Sequence, residues 1–125
     1  DFIKILRKYS SDIKKAVVHC FTGTQQQLDD YLELDFYIGV TGWICDAKRN
    51  VELRKTITNI PLQRLMIETD CPYLIPKNLP EKPKNNRNEP TNLNHIVSEI
   101  GMLMGIDEEI LRKDTFKNTI NFFNS

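Results

Sequence analysis

Three apolar runs, each broken by turn residues and each followed by a stretch of helical periodicity, constrain the fold of this chain more than anything else in it. The first spans residues 16–21 and closes on Thr22 and Gly23. The second spans 36–41 and closes on Gly42, and the third spans 64–70 and ends in Glu68, Thr69 and Asp70 before Pro72. Strands alternating with helices imply parallel pairing, because each helix returns over the sheet and starts the next strand in the same direction. The class is therefore α/β. Three strands cannot close a barrel and leave an edge to be covered, so the chain reads as part of a barrel or as a piece that pairs with something.

The helices have their own signals. Phe2, Ile3, Leu6, Tyr9 and Ile13 recur at near-helical spacing with only Asp1 ahead of them as a cap, so the start reads as cut from something larger. Thr24 followed by Gln27 is a capping-box pattern, and Leu28, Tyr31 and Leu32 supply the buried face behind it. Val51, Ile57 and the aliphatic stem of Arg54 suggest a modest helix that Asn59 and Pro61 end. Thr91 is placed to cap a helix whose Leu93, Ile96, Val97, Ile100, Leu103 and Met104 share one face, stopped by Gly105. Asp107 caps a last helix with Ile110, Leu111, Phe116, Ile120 and Phe123 as its apolar set. Between the third strand and these helices, residues 71–90 hold five of the six prolines, which predicts a long loop within a single domain.

Lys plus Arg and Asp plus Glu both number 17, so the net charge near zero gives no global sign of a nucleic-acid partner and any such contact must be local. The loop offers one place for it, with Lys77, Lys82, Lys84 and Arg87 against Glu81 and Glu89. That cluster is either a phosphate contact or a solvated surface. Cys20, Cys45 and Cys71 have no CxxC spacing, which points to free thiols in a reducing, cytoplasmic or nuclear compartment. No apolar run approaches the roughly 18 residues of a membrane span, so no membrane partner is expected.

Carboxylates at the end of a buried strand are costly, and the carboxyl ends of parallel strands form the rim where ligands and metals sit. Asp70 is thus either a site residue or the cap of the next turn. His19 ends the first run as Asp70 ends the third, so the two could supply a nitrogen and an oxygen ligand to one metal, although a hydrogen-bonded core histidine would look the same. Strand alternation turns Cys20 away from the face of His19 and puts Glu68 on the face of Asp70. Glu68 there either orients a ligand or belongs to a structural network. Pro90 fixes the backbone behind Arg87 and Asn88, which become candidates for substrate contact or for support of the site. Trp43 and Tyr73 could stack on a base or pack against the rim.

Taken in order, His19-Cys20-Phe21-Thr22-Gly23, Tyr37-Ile38-Gly39-Val40-Thr41-Gly42, Glu68-Thr69-Asp70-Cys71-Pro72-Tyr73, Arg87-Asn88-Glu89-Pro90 and Asn118 with Phe122 and Phe123 resemble the TatD-type, metal-dependent deoxyribonucleases of the amidohydrolase-like TIM barrels. Two positions depart from the family pattern: Cys71 replaces a small residue, and Asp35 stands where a glycine is usual.

The resemblance implies a barrel of eight strands of which this chain covers the C-terminal part, the sixth to eighth with their helices. It implies divalent metal ions (Mg, Zn or Mn) bound by a His-x-His pair, a glutamate and a histidine on earlier strands, and by the positions matching His19 and Asp70. The earlier ligands are not in this sequence, and His95, on a predicted helix, matches none of them. The implied reaction is hydrolysis of DNA phosphodiester bonds by a metal-activated water that Asp70 orients or deprotonates, with the chain inactive by itself. Two other readings remain open: an amidohydrolase-type enzyme acting on another ester or amide, and a non-catalytic half-barrel that associates with itself.

Overall fold

The computed structural model describes residues 2–124. Helix α1 (Phe2–Lys8) runs into a 3₁₀ turn, and strand β1 (Val17–Val18) is followed by α2 (Gln25–Glu33). Strand β2 (Tyr37–Val40) leads to α3 (Val51–Thr56), and β3 (Leu65–Ile67) leads through the long loop to α4 (Leu93–Met104) and α5 (Glu108–Phe123). The strands form one parallel sheet in the order β1-β2-β3, with Val18 beside Ile38 and Ile38 beside Leu65. This is the expected α/β architecture of three parallel strands with covering helices.

One face of the sheet carries the core. Ile38 and Leu65 point into a layer of Leu28 from α2, Leu53 and Ile57 from the α3 region, and Ile96 and Ile100 from α4, all at most 1% exposed. Each such side chain contributes about 1.5–3 kcal/mol on leaving water. The capping box is formed: Thr24 accepts from the Gln27 amide, and the Gln27 side chain accepts from the Thr24 amide. Gly105, at φ 65°, ends α4, and the Asp107 carboxylate accepts from the amides of Glu109 and Ile110 to start α5. Asp35 follows α2 with φ 61°, a left-handed turn that costs a residue with a Cβ, and its carboxylate pairs with Arg64.

The structure corrects several expectations. All three strands are shorter than the apolar runs. The first stops at Val18 because Cys20 takes a left-handed φ of 52°, although Phe21 N–H rejoins the Gly39 carbonyl at 2.8 Å. The second stops where the Thr41 side chain caps the 3₁₀ turn Gly42–Cys45, and in the third Glu68 N–H makes the last ladder bond, to Val40. Thr91 does not cap α4; it lies inside a 3₁₀ turn, Pro90–Asn92, that runs straight into the helix. In α5 the inward stripe is Leu111, Thr115 and Asn118, while Phe116 and Phe123 are 68% and 71% exposed. The apolar residues of that helix follow two stripes, and the polar one packs inward because Asn118 Nδ2 donates to the carbonyls of Leu62 and Leu65. None of α1 is buried, and its proposed cap, Asp1, lies outside the described residues. No helix among the described residues is long and apolar enough to cross a membrane.

Candidate active site

Parallel strands deliver their carboxyl ends to one rim, and here that rim gathers His19, Glu68 and Asp70. The His19 ring lies between the two carboxylates, with Nδ1 2.8 Å from Glu68 Oε2 and Nε2 3.3 Å from Asp70 Oδ1. The ring is 62% exposed, Asp70 29% and Glu68 18%, so the cluster is open to a ligand at its outer side and closed beneath. Glu68 is fixed from three directions. It accepts the Cys20 amide at 3.1 Å, holds His19, and lies over Gly39, where a Cβ would collide with its carboxylate. Gly39 of β2 therefore makes the space that lets a buried-side glutamate reach the histidine.

The shorter contact, on Nδ1, favours the tautomer that carries its proton there. A Nδ1–H donated to Glu68 leaves the Nε2 lone pair facing the Asp70 oxygen, two acceptors with no donor between them. A cation or a second ring proton resolves that contact. The nitrogen–oxygen pair suits a divalent transition metal, and a 3.3 Å separation is what two ligands about 2.0–2.2 Å from one ion leave between them. The chemistry of the pair fits, but two donors do not complete a site that needs at least three. No group of three or more His, Cys, Asp or Glu able to hold a metal ion occurs among the described residues.

Cys20 departs from the expected alternation. Its left-handed backbone returns the side chain to the rim, where Sγ lies 3.3 Å from the hydroxyl of buried Thr41. Burial pushes the thiol above its ordinary pKa, the Thr41 hydrogen bond opposes this, and the charges of Asp70 and Glu68 add to the rise. It is held as a neutral thiol. Burial likewise pushes Cys45 up to about 12, with Glu99 adding to it. Cys71 Sγ meets Thr69 Oγ1 at 3.1 Å. Thr41, the last residue of the second run, carries no local sign of its contact with Cys20, which joins residues 21 apart.

The remaining candidates separate. Asn88 is 4% exposed, and its amide nitrogen donates to Thr69 Oγ1 and to the carbonyls of Tyr73 and Leu74, while its oxygen accepts from the amide of Glu89 and from Asn92. Every hydrogen-bonding valence of this side chain is used within the protein. Arg87 is exposed; its backbone amide donates to Asn85, and its guanidinium makes no ion pair among the described residues. Trp43 is half-buried against the core, and Tyr73 is 76% exposed. His95 sits on α4 and pairs with Asn78, away from the cluster. An apolar cleft of about 690 Å³ between α4 and α5, lined by Leu93, Val97 and Phe116, holds none of the cluster residues, and the charged side chains on its lining, Glu109, Arg112 and Lys113, all come from α5.

The family model described as TatD related DNase matches residues 1–124. A protein named 3'-5' ssDNA/RNA exonuclease TatD from Rahnella sp. (strain Y9602) is 48% identical over 122 residues, covering 98% of this chain and 46% of the relative. The protein of the same name from Edwardsiella piscicida is 45% identical and is covered to 47%. The chain thus spans about half the length of the curated relatives it matches. Among solved structures, a hydrolase TatD family protein from Entamoeba histolytica superposes with a TM-score of 0.82 at 29% identity, covering 98% of this chain and 46% of the other. A TatD homologue from Escherichia coli K12 shares the fold at a TM-score of 0.86 and 24% identity, with 98% and 45% covered.

Proposed function

The chain belongs to the TatD related DNase family, and on that premise we propose that the whole protein hydrolyses phosphodiester bonds of nucleic acid with the help of divalent metal ions held in part by His19 and Asp70. The observation that carries this reading is the His19 ring, oriented by Glu68 so that Nε2 and the Asp70 carboxylate converge at 3.3 Å. A bound metal would supply a water acidified toward neutral pH and charge neutralisation on the phosphoryl oxygens. The chain's own residues supply the rest. Asp70 orients the attacking water and accepts its proton, Glu68 holds the histidine in one tautomer, and the uncommitted guanidinium of Arg87 is available to a substrate phosphate. The relatives' names make removal of nucleotides from the 3' end of single strands the form of activity we expect.

The test is degradation of single-stranded DNA and RNA by the whole protein, with loss on chelation and recovery on adding Mg, Mn or Zn. The chain of residues 1–125 alone is expected to be inactive, because it carries two of the ligands. Chelator-resistant activity, or no activity on nucleic acid beside turnover of small esters or amides, would overturn the reading. Sheet edges β1 and β3 and the exposed Phe116 and Phe123 favour association of the isolated chain, and light scattering in the same preparation reads it.

Gly39→Ala follows directly from the site. The new methyl group displaces the flexible end of Glu68 and so releases His19, which is expected to lower activity by about 10- to 100-fold, as loss of a carboxylate behind a metal-bound histidine does. The thermal unfolding temperature should fall only modestly, since the displaced carboxylate gives up one backbone partner, the Cys20 amide. Unchanged activity would show that the Glu68–His19 contact does not matter for turnover.

A further inference from the structure

Tyr73 is a large aromatic side chain left 76% exposed on a backbone held unusually firmly. Its amide donates to the Asp70 carbonyl at 2.8 Å, so the ring is presented by a turn closed on the site itself. Asn88 clamps the same turn from the other side: its side chain donates to the carbonyls of Tyr73 at 2.8 Å and Leu74 at 3.1 Å, and its amide donates to the Pro72 carbonyl at 2.8 Å. The turn also lies close against the 3₁₀ turn Gly42–Cys45, since a Cβ at Gly42 would meet the Leu74 carbonyl at 2.9 Å. Leu74 is held in a left-handed conformation at φ 56°. Four hydrogen bonds therefore fix residues 72–74, and none of them involves the ring.

An aromatic ring is costly to expose, and a rigid mount removes the entropy that binding would otherwise lose. Trp43 is half-buried against the core and so presents less of its ring than Tyr73 does. Lys77 and Arg87 lie exposed on the same loop, and no ion pair ties either side chain among the described residues. Aromatic faces beside cationic side chains are the parts from which single-stranded nucleic acid sites are made, with bases on the rings and phosphates on the charges.

Resting on the nuclease reading above, we propose that Tyr73 is the stacking platform for the base of the nucleotide next to the cleaved phosphodiester, with Lys77 and Arg87 along the path of its phosphates. The contact is indifferent to base identity and requires an unpaired base. Tyr73 is a positioning residue: it acts on where the strand lies and performs no chemistry.

The experiment measures binding of a short fluorescent single-stranded oligonucleotide to the whole protein carrying Asp70→Asn, so that the probe is not consumed. Adding Tyr73→Ala is expected to weaken binding by about 5- to 150-fold, the range of one base–aromatic stack. Tyr73→Phe should restore it. An abasic residue at the terminal position should weaken the Asp70→Asn parent and leave Tyr73→Ala unaffected. In the active protein Tyr73→Ala should raise KM and leave kcat within about threefold. Unaltered binding in Tyr73→Ala, or a deficit that persists undiminished on the abasic strand, overturns the proposal. Failure of the nuclease reading looks different: the active protein cleaves no nucleic acid, while the binding arms still decide the role of Tyr73.

Discussion

Asp70→Asn in the whole protein is expected to reduce the turnover of nucleic acid cleavage by about 10²- to 10⁴-fold, the range set by losing a positioned proton acceptor. The substitution keeps the shape of the side chain and removes its charge. Asp70 is 29% exposed and faces His19 across 3.3 Å, so the folded state does not depend on its ionisation for a buried contact. A thermal unfolding curve close to that of the parent should accompany the loss. His19→Ala should fall equally far, and the double variant little further than either single one, because residues acting as one unit are not additive. Glu68→Gln should cost less, about 10- to 100-fold, since it acts through the histidine. The order Asp70 and His19 above Glu68 is what the geometry demands. Nearly full activity in Asp70→Asn, or Glu68→Gln falling further than Asp70→Asn, would remove Asp70 from the chemistry.

What the sequence made legible follows from which signals are local. Parallel strands and the convergence of His19 with Asp70 were readable because strand ends on one rim follow from topology alone. The capping box at Thr24 and the cap at Asp107 were readable because both are short-range hydrogen bonds. Cys20 was misplaced because period-2 alternation assumes a regular strand, and its left-handed φ has no signature in a residue with a Cβ. The bridge from Glu68 to His19 joins residues 49 apart and depends on the vacancy above Gly39, a property of two strands in register and of neither alone. In α5, hydrophobicity pointed to the wrong stripe, because Asn118 faces inward to satisfy two carbonyls that no pattern of that helix announces. Asn88 was visible as a fixed position before Pro90, but its role as the clamp of the Tyr73 turn required the loop to be seen folded.

Arg54 illustrates the same limit and carries the largest expected effect on stability. Its aliphatic stem suits a helix face, yet its guanidinium crosses from α3 to α4, donating to the Ile44 carbonyl at 2.7 Å and to Glu99 Oε1 at 2.5 Å. The other Glu99 oxygen accepts from Asn78 at 3.0 Å, which ties the long loop to the same pair. The side chains of Arg54 and Glu99 are 20% and 10% exposed. Arg54→Met keeps the stem, strands the carboxylate with one neutral donor and unpairs the Ile44 carbonyl, at an expected cost of about 3 kcal/mol. That corresponds to a fall in melting temperature of about 10 °C. Replacing both partners, Arg54→Met with Glu99→Leu, should recover most of the loss, because no buried charge is then left alone. A single-variant cost below about 1 kcal/mol would class the pair with solvent-screened surface bridges, and a double variant no more stable than Arg54→Met would show that shape rather than the stranded charge sets the penalty.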